Sequence, residues 1–382
     1  MTILVFLIVL TILVLVHELG HFLVAKKFGI KVEEFGFGFP PRLFGIKKGE
    51  TIYSINWLPI GGFVKLYGED EAGGGKIGKL KVAPRSGIPL SGKSGKLKVS
   101  DRSRAFFARP PWQRALVAVA GVVMNFVLAV IVFSFFYTLG VKTQEPLGFV
   151  EVKAVNESSP ADVVGIKPGD IVVSIDGIPI KTSQELVTKT REKLGEVRNL
   201  EVKRGIEYQT FQVIPRTESP EGEGPIGIVL NDTRVLEKKY PIYQAPIVAT
   251  RDAFEFAWLI IKSLSLIFWQ FVTLGKVPQD IAGPVGIAQI TGEFAQFGPM
   301  ALLSFLAFLS LNLAVLNILP IPALDGGRLF FILIEVIFRK RVSPHFERHA
   351  HAIGLAILLA LLLLITFRDI NRILQGQSIL PQ

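Results

Sequence analysis

His17 and His21 stand four residues apart with Glu18 directly after the first, so the amino-terminal stretch reads H-E-x-x-H. On an α-helix, positions four apart lie above one another on one face, and both imidazoles can then reach a single Zn2+. Glu18 is offset from His17 by about 100° around the axis, where its carboxylate can serve as general base towards an attacking water. With five His in 382 residues, chance yields roughly 0.004 such motifs in a chain of this composition. Chance is therefore a poor account. The bland alternative is a buried histidine pair and a neutral Glu hydrogen-bonded to neighbouring helices. Placement weakens it, because Thr2 to Ala25 is otherwise apolar, and ionisable groups in such a span cost several kcal/mol unless they face a polar interior or water.

A catalytic zinc takes three protein ligands and keeps one position open. The chain has no Cys, which excludes disulfides, thiol nucleophiles and cysteine-ligated metals and leaves His, Asp or Glu as the third ligand. Asp325 is the candidate. It ends a run of 31 uncharged residues after Glu293 and sits in Asn317-Ile-Leu-Pro-Ile-Pro-Ala-Leu-Asp325-Gly-Gly327. Pro320 and Pro322 forbid a regular helix there, which is tolerated at membrane depth only where the backbone packs against protein or lines a cavity. Gly326 and Gly327 permit close backbone approach after the ligand. His345 and His349 form a rival pair, with His351 nearby, but they follow a basic stretch and no Glu comes directly after His345. They read as the solvated start of a juxtamembrane helix. Two imidazoles and a carboxylate suit zinc, with iron and cobalt left open.

These side chains need apolar elements to hold them. Half of the residues are hydrophobic, 19% are charged and mean hydropathy is +0.46, which excludes a disordered chain and an ordinary soluble enzyme. Four spans are expected, at residues 1–25, 115–141, 297–338 and 352–367, given that about 20 residues cross a bilayer core. The first lacks a basic n-region and an A-x-A site and reads as retained rather than cleaved. Residues 251–275, with Trp258, Lys262 and Trp269, read as an amphipathic helix lying at the interface within a connector, 218–296.

Charge sets the topology. Lys26 to Arg114 holds 18 Lys+Arg against 7 Asp+Glu, whereas Val141 to Thr250 holds 14 against 16. The excess Lys and Arg place the loops 26–114 and 339–351 inside, and the domain between the second and third spans outside. Both termini, including the tail 368–382, then fall outside. The Gly/Ser/Lys-rich piece 73–100 reads as a flexible insert near anionic headgroups; it has no aromatic residue to stack on bases, so nucleic acid is not expected as a partner.

With these residues in view, the sequence resembles the site-2 protease family of intramembrane zinc metalloproteases, in its bacterial regulator-of-sigma-E protease branch. The resemblance rests on H-E-x-x-H in the first span, on Asn317, Pro320, Pro322 and Leu324-Asp325-Gly326 in the third, on Pro59-Ile-Gly-Gly-Phe-Val-Lys65 and on Gly283-Pro-Val-Gly-Ile287. It implies zinc ligation by His17, His21 and Asp325, activation of water by Glu18, orientation of the substrate backbone or stabilisation of the oxyanion by Asn317, and substrate positioning by Asn317, Pro320, Pro322, Gly38 and Phe39. Phe35 to Pro41 resembles the family's re-entrant β-loop, within residues 35–67, whose hairpin edge is expected to pair with an unwound substrate strand. Two departures are Pro40, where the family has Gly, and Val122 after Ala120-Gly121, where it has Pro; Asn125 is kept.

Residues 142–217 resemble a circularly permuted PDZ domain, with Leu147, Gly148, Phe149 and Val150 as its groove segment, Gly-Asp and Asp-Gly turns, a helix from Ser183 to Leu194 and strands around Leu200 and Phe211. The expected fold is thus a multi-pass α-helical membrane protein with four transmembrane spans, a re-entrant β-hairpin and one inserted α+β PDZ-like domain. The expected activity is zinc-dependent cleavage of single-pass membrane proteins in the bilayer of a bacterial inner membrane, after an upstream site-1-type protease, on substrates such as anti-sigma factors or remnant signal peptides. The alternatives are a non-catalytic scaffold that binds partners through the PDZ-like domain, and a proton-relaying transporter. The second predicts an internal repeat of spans, and the sequence has none.

Overall fold

The computed structural model describes residues 2–69, 103–220, 222–275 and 282–375; the basic insert 73–100 and residues 376–382 of the tail lie outside them. The chain opens with α1 (Thr2–Lys27), β1 (Val32–Lys48), β2 (Thr51–Leu66) and α2 (Pro111–Leu139). There follow β3 (Val141–Val155), α3 (Pro160–Val164), β4 (Ile171–Ile175), β5 (Ile178–Pro179), α4 (Ser183–Arg191), β6 (Arg198–Arg204), β7 (Glu207–Val213) and β8 (Ile228–Lys238). The remainder is helical: α5 (Ala245–Leu274), α6 (Pro284–Gln296), α7 (Pro299–Ile318), α8 (Asp325–Phe338) and α9 (Pro344–Leu374). Two compact units result, Leu139–Tyr240 and the rest of the chain.

In the helical unit, α1, α2 and α7 share a core of Val9, Leu13, Ala129, Val132, Leu306, Ala307 and Leu311. Between helices in hydrocarbon the attraction is close packing, so small residues mark the contacts. A Cβ on Gly20 of α1 would run into the Ala120 carbonyl of α2 and lie 2.8 Å from Met124 Cγ. Among the described residues five helices, not four, are long and apolar enough to cross a membrane, α5 being the addition. This helix is 30 residues long, reaching further than the amphipathic segment read from sequence. It meets α2 through Tyr137–Asp252, Phe126–Phe254 and Phe133–Phe256. Phe126 and Tyr137 lie about 16 Å apart along α2 at 1.5 Å per residue, while their partners on α5 are neighbours, so the two helices cross instead of running side by side.

The third hydrophobic region consists of two helices separated at the prolines. α7 stops at Ile318 and α8 starts at Asp325, with Pro320 and Pro322 lacking the N–H groups that would carry a helix on. Ala323 takes a left-handed φ of 83°. The returning backbone leaves no room for side chains: a Cβ on Gly327 would stand 2.5 Å from the Ile321 carbonyl oxygen, and one on Gly354 of α9 the same distance from that of Pro322. α9 begins at Pro344, so it takes in the second half of the basic loop as well as the span expected at 352–367. Buried Asp369 near its far end accepts hydrogen bonds from Gly283 N (3.0 Å) and Gly286 N (2.7 Å), which supplies partners for the first amides of α6 and fastens Gly283-Pro-Val-Gly-Ile287.

β1 and β2 pair antiparallel with several shifts of register, Val32 to Phe37 facing Gly62 to Leu66 and Arg42 to Lys48 facing Thr51 to Asn56. At the Gly49–Glu50 turn, Glu50 binds Arg104 (2.6 Å) and Lys26 (2.8 Å), which ties the turn to the end of α1.

In the second unit the sheet order is β7-β6-β4-β3-β8, with β5 on β4, over a core of Val150, Val152, Val172, Ile175, Leu186, Leu200, Val202 and Val213. Thr182 and Glu185 form a capping box at the start of α4. Asp170, of the Gly-Asp turn, is buried, which opposes its ionisation, yet Arg204 at 2.7 Å and Lys167 N at 2.9 Å hold its carboxyl below the usual range. The unit does not end at residue 217. β8 pairs with β3 from Val141↔Lys238 to Val155↔Ile228, because β3 is a long strand whose backbone needs a partner along that edge. The groove segment is also split: Val150 is a core residue paired with Val172, and Leu147, Gly148 and Phe149 fall in the break of the β3–β8 ladder between Pro146 and Glu151.

Arg104 first, and then Lys26, pull the Glu50 carboxyl down to about 2. A carboxyl whose folded pKa is depressed contributes stability above its unfolded pKa and loses it as pH falls through the folded one. Amide protection factors at Thr51 to Ser54, exchange rates corrected for the intrinsic pH dependence, are therefore expected to stay unchanged from pH 7 to pH 5, to fall below that as pH approaches 2, and to be lower at pH 7 in Glu50→Gln.

Candidate metal centre

α1 positions the two histidines and α8 the carboxylate. His17 Nε2 lies 3.2 Å from His21 Nε2, and Asp325 Oδ2 lies 2.9 Å from the first and 3.2 Å from the second. The imidazole planes stand at 82° to each other, so their edges converge. Asp325 Oδ2 is buried, and the angles to its two neighbours fit no hydrogen bond, which leaves it without a hydrogen-bond partner. Three atoms rich in lone pairs thus crowd one point. Ligand atoms at 2.0–2.1 Å from a tetrahedral ion are separated by about 3.3 Å, so this triangle fits zinc, with a fourth direction left for a reactant.

Neighbouring groups orient the rings. His21 Nδ1 donates to the Val117 carbonyl at 2.7 Å, which leaves the lone pair on Nε2. The amide of fully buried Asn125 is 3.4 Å from His17 Nδ1, and its Oδ1 lacks a partner. Turned end for end, that amide accepts from Nδ1–H and gives His17 Nε2 the same tautomer. Gly121 makes room for both rings, since a Cβ there would stand 2.6 Å from His17 Cε1 and from His21 Nε2. Glu18 accepts a hydrogen bond from Val64 N of β2 at 3.0 Å, so the hairpin and α1 are joined at this carboxylate.

One cavity of about 510 Å3 is lined by His17, Glu18, His21 and Asp325 together with Phe63, Val64, Glu69, Arg328 and His351. Arg328, one turn past Asp325, forms an ion pair with Glu69. Asn317, Pro320, Pro322 and Gly38 are not among the lining residues. Asn317 is half-buried on α7, the two prolines lie in the turn before Asp325, and Gly38 has its carbonyl bound by Asn56 at 3.0 Å. Phe39 pairs with Leu58 in the hairpin. His345 and His349 stack on each other at 4.1 Å on the exposed start of α9, clear of the cavity. His351, grouped with them in the sequence, faces differently and lines it. Gly121, Asn125 and His351 are functional neighbours that spacing alone did not reveal; Ala120-Gly121 and Asn125 were visible only as fragments of a family pattern.

Two imidazoles and a carboxylate that could hold one metal ion, with a second carboxylate lining the same cavity, are a donor set suited to metal-dependent hydrolysis. The model of peptidase family M50 matches residues 5–361. A Clostridium perfringens relative is 35% identical over 94% of this chain and 95% of its own length. The regulator of sigma-W protease RasP of Bacillus subtilis is 31% identical, covering 97% of this chain and 99% of its own, and the zinc metalloprotease RasP of Geobacillus kaustophilus is 30% identical, with 96% and 97% covered. A solved PDZ domain, that of an SdrC-like protein from Listeria monocytogenes, shares 29% identity over 24% of this chain and 95% of its own, with a TM-score of 0.21. The chain belongs to peptidase family M50, and it is a zinc metalloendopeptidase of the site-2 protease type.

Gly121→Ala is expected to lower zinc affinity about 10- to 100-fold, because the added methyl displaces both imidazoles and overpacking costs about 1–3 kcal/mol. Competition with a chromophoric chelator measures it. Affinity within threefold of wild type would refute the packing argument.

Proposed function

We propose that this chain cleaves the transmembrane segments of single-pass membrane proteins, with His17, His21 and Asp325 as zinc ligands and Glu18 as the catalytic acid–base. The observation that carries this reading is the convergence of His17 Nε2, His21 Nε2 and Asp325 Oδ2, from apolar helices, beside Glu18 in one cavity. A zinc ion held by His17, His21 and Asp325 would supply Lewis acidity towards the substrate carbonyl and the attacking water. Val64 N–H holds Glu18 Oε2, which fixes the carboxylate rotamer and leaves Oε1 to take the proton. Glu18 then delivers that proton to the leaving amine nitrogen, so that water's hydroxyl ends on the carbonyl carbon and its hydrogen on the new amino terminus. A structural metal site has no use for such a carboxylate, which argues against the scaffold reading.

A helical substrate offers no free backbone until it unwinds. β2 brings Phe63, Val64 and Leu66 to the cavity wall, and a strand added along this hairpin would carry a peptide past Glu18. Asn317, Pro320, Pro322, Gly38 and Phe39 are assigned positioning roles acting through the turn before Asp325 and the hairpin, in place of direct contact with the reacting bond.

The crossing of α5 over α2 supports an interfacial α5 and four spans; with the basic loops read as inside, both termini and the unit 139–240 are on the extracytoplasmic side. That unit, read as PDZ-like with Leu147, Gly148 and Phe149 in its open segment, acts as a size filter that admits substrates already trimmed by an upstream protease. The class of substrate follows the Bacillus subtilis relative, a regulator of sigma-W protease: membrane-bound anti-sigma factors, and by the same chemistry remnant signal peptides.

Glu18→Gln is expected to keep stoichiometric zinc and to lower cleavage of a reconstituted single-span peptide by about 10²–10⁴-fold. Undiminished cleavage would refute the base assignment. Asp325→Asn should instead lower zinc content. Replacing the whole unit 139–240 by a short linker is expected to let untrimmed substrates be cleaved; if they stay intact in a variant that still cleaves trimmed peptide, the filter role fails.

A further inference from the structure

Among the residues that line the cavity, the reaction assigned above leaves one buried polar atom unexplained. His351 Nδ1 lies 2.9 Å from Ala323 N and accepts its hydrogen bond. A neutral imidazole with one nitrogen accepting carries its hydrogen on the other, so Nε2 is the donor. That Nε2 is buried and has no hydrogen-bond partner. An unpaired buried donor costs about 1–3 kcal/mol, and in a native fold such a group calls for an explanation. His351 lines the same cavity as His17, Glu18, His21 and Asp325, and its ring is packed against Phe331 of α8 with centroids 5.5 Å apart.

The backbone it binds is itself special. Ala323 is a non-glycine residue with φ 83°, a conformation that costs about 1–3 kcal/mol and persists only where surroundings enforce it. Two positions later the chain delivers Asp325. His351 therefore has two ends: Nδ1 secures the turn, and Nε2 carries a hydrogen of fixed direction, without a partner, on a residue that lines the cavity.

We propose that His351 Nε2–H donates a hydrogen bond to a backbone carbonyl oxygen of the peptide lying in the cavity, at the bond being cleaved, and that this bond strengthens as negative charge grows on that oxygen. No bond to His351 is made or broken. The residue keeps its proton throughout, and Glu18 remains the group that moves one. The proposal rests on the intramembrane peptidase reading.

Asparagine and glutamine separate the two ends of the imidazole, since Asn Oδ1 takes the place of Nδ1 and Gln Nε2 that of Nε2. In the full-length protein in lipid nanodiscs, His351→Asn is expected to retain stoichiometric zinc and wild-type thermal stability and to lower kcat/KM for a single-span peptide about 10²–10³-fold, the usual effect of removing one oxyanion donor. His351→Gln is expected to recover at least tenfold of that loss. Independently of catalysis, 15N spectra of zinc-free wild type should show His351 as the Nε2-protonated neutral tautomer. The proposal is overturned if His351→Asn cleaves within threefold of wild type, if it loses its zinc, or if the tautomer is Nδ1–H. Cleavage that survives Glu18→Gln would overturn the peptidase site as a whole, and this assignment with it, so the two failures are distinguishable.

Discussion

Three lone-pair donors held about 3 Å apart inside apolar helices are the constraint on which the rest of this structure depends. His17 Nε2, His21 Nε2 and Asp325 Oδ2 gain nothing from one another without a cation between them, and ionisable groups among apolar helices are costly unless paired or bound to an ion. Their approach dictates packing far beyond the ligands. α2 has to pass so close to α1 that position 121 admits no side chain, and Gly20 on the facing helix meets the same limit against Ala120. Overpacking of a few tenths of an ångström is felt directly at a site whose geometry must hold to about half an ångström.

A second requirement follows from the first. A helix could not bring Asp325 opposite the histidines unless the chain broke and turned back, and broken backbone in hydrocarbon must find other hydrogen-bond partners. The apolar helices provide them from their few polar residues. Glu18 of α1 takes Val64 N of the hairpin, His351 of α9 takes Ala323 N of the turn before α8, and Asp369 of α9 takes Gly283 N and Gly286 N at the start of α6. Each acceptor thereby fixes an irregular segment to a regular one. Two of the three also line the cavity that holds His17, His21 and Asp325, so satisfaction of the backbone and assembly of the site are one arrangement.

How far the sequence disclosed this depended on the distance over which each signal acts. H-E-x-x-H is complete within two turns of one helix, and its ligand face was legible without any partner. Asp325 was legible because a carboxylate beside two prolines and two glycines breaks an apolar run in a way that packing alone would not favour. The hairpin, by contrast, is held by Glu50 against Arg104 and Lys26, and those pairs join segments separated by 54 and 24 positions. No local pattern records them. The unit 139–240 failed at its boundary for the same reason, since β8 is defined by its pairing with β3, some 90 residues earlier, and not by its own alternation.

The histidines of α9 show where periodicity misleads. His345 and His349 have the i, i+4 spacing that marks a ligand pair, yet they stack on each other at an exposed helix start, where spacing brings rings together with nothing else to complete a site. His351 has no such partner in sequence, and the basic residues ahead of it masked its surroundings. What distinguishes it is a long-range contact, the Ala323 amide 28 residues away, and the left-handed turn that this amide belongs to. A motif identifies side chains that could act together, whereas the irregular backbone around a site identifies those that must; here the second criterion assigns a role to a residue that the first had placed in solvent.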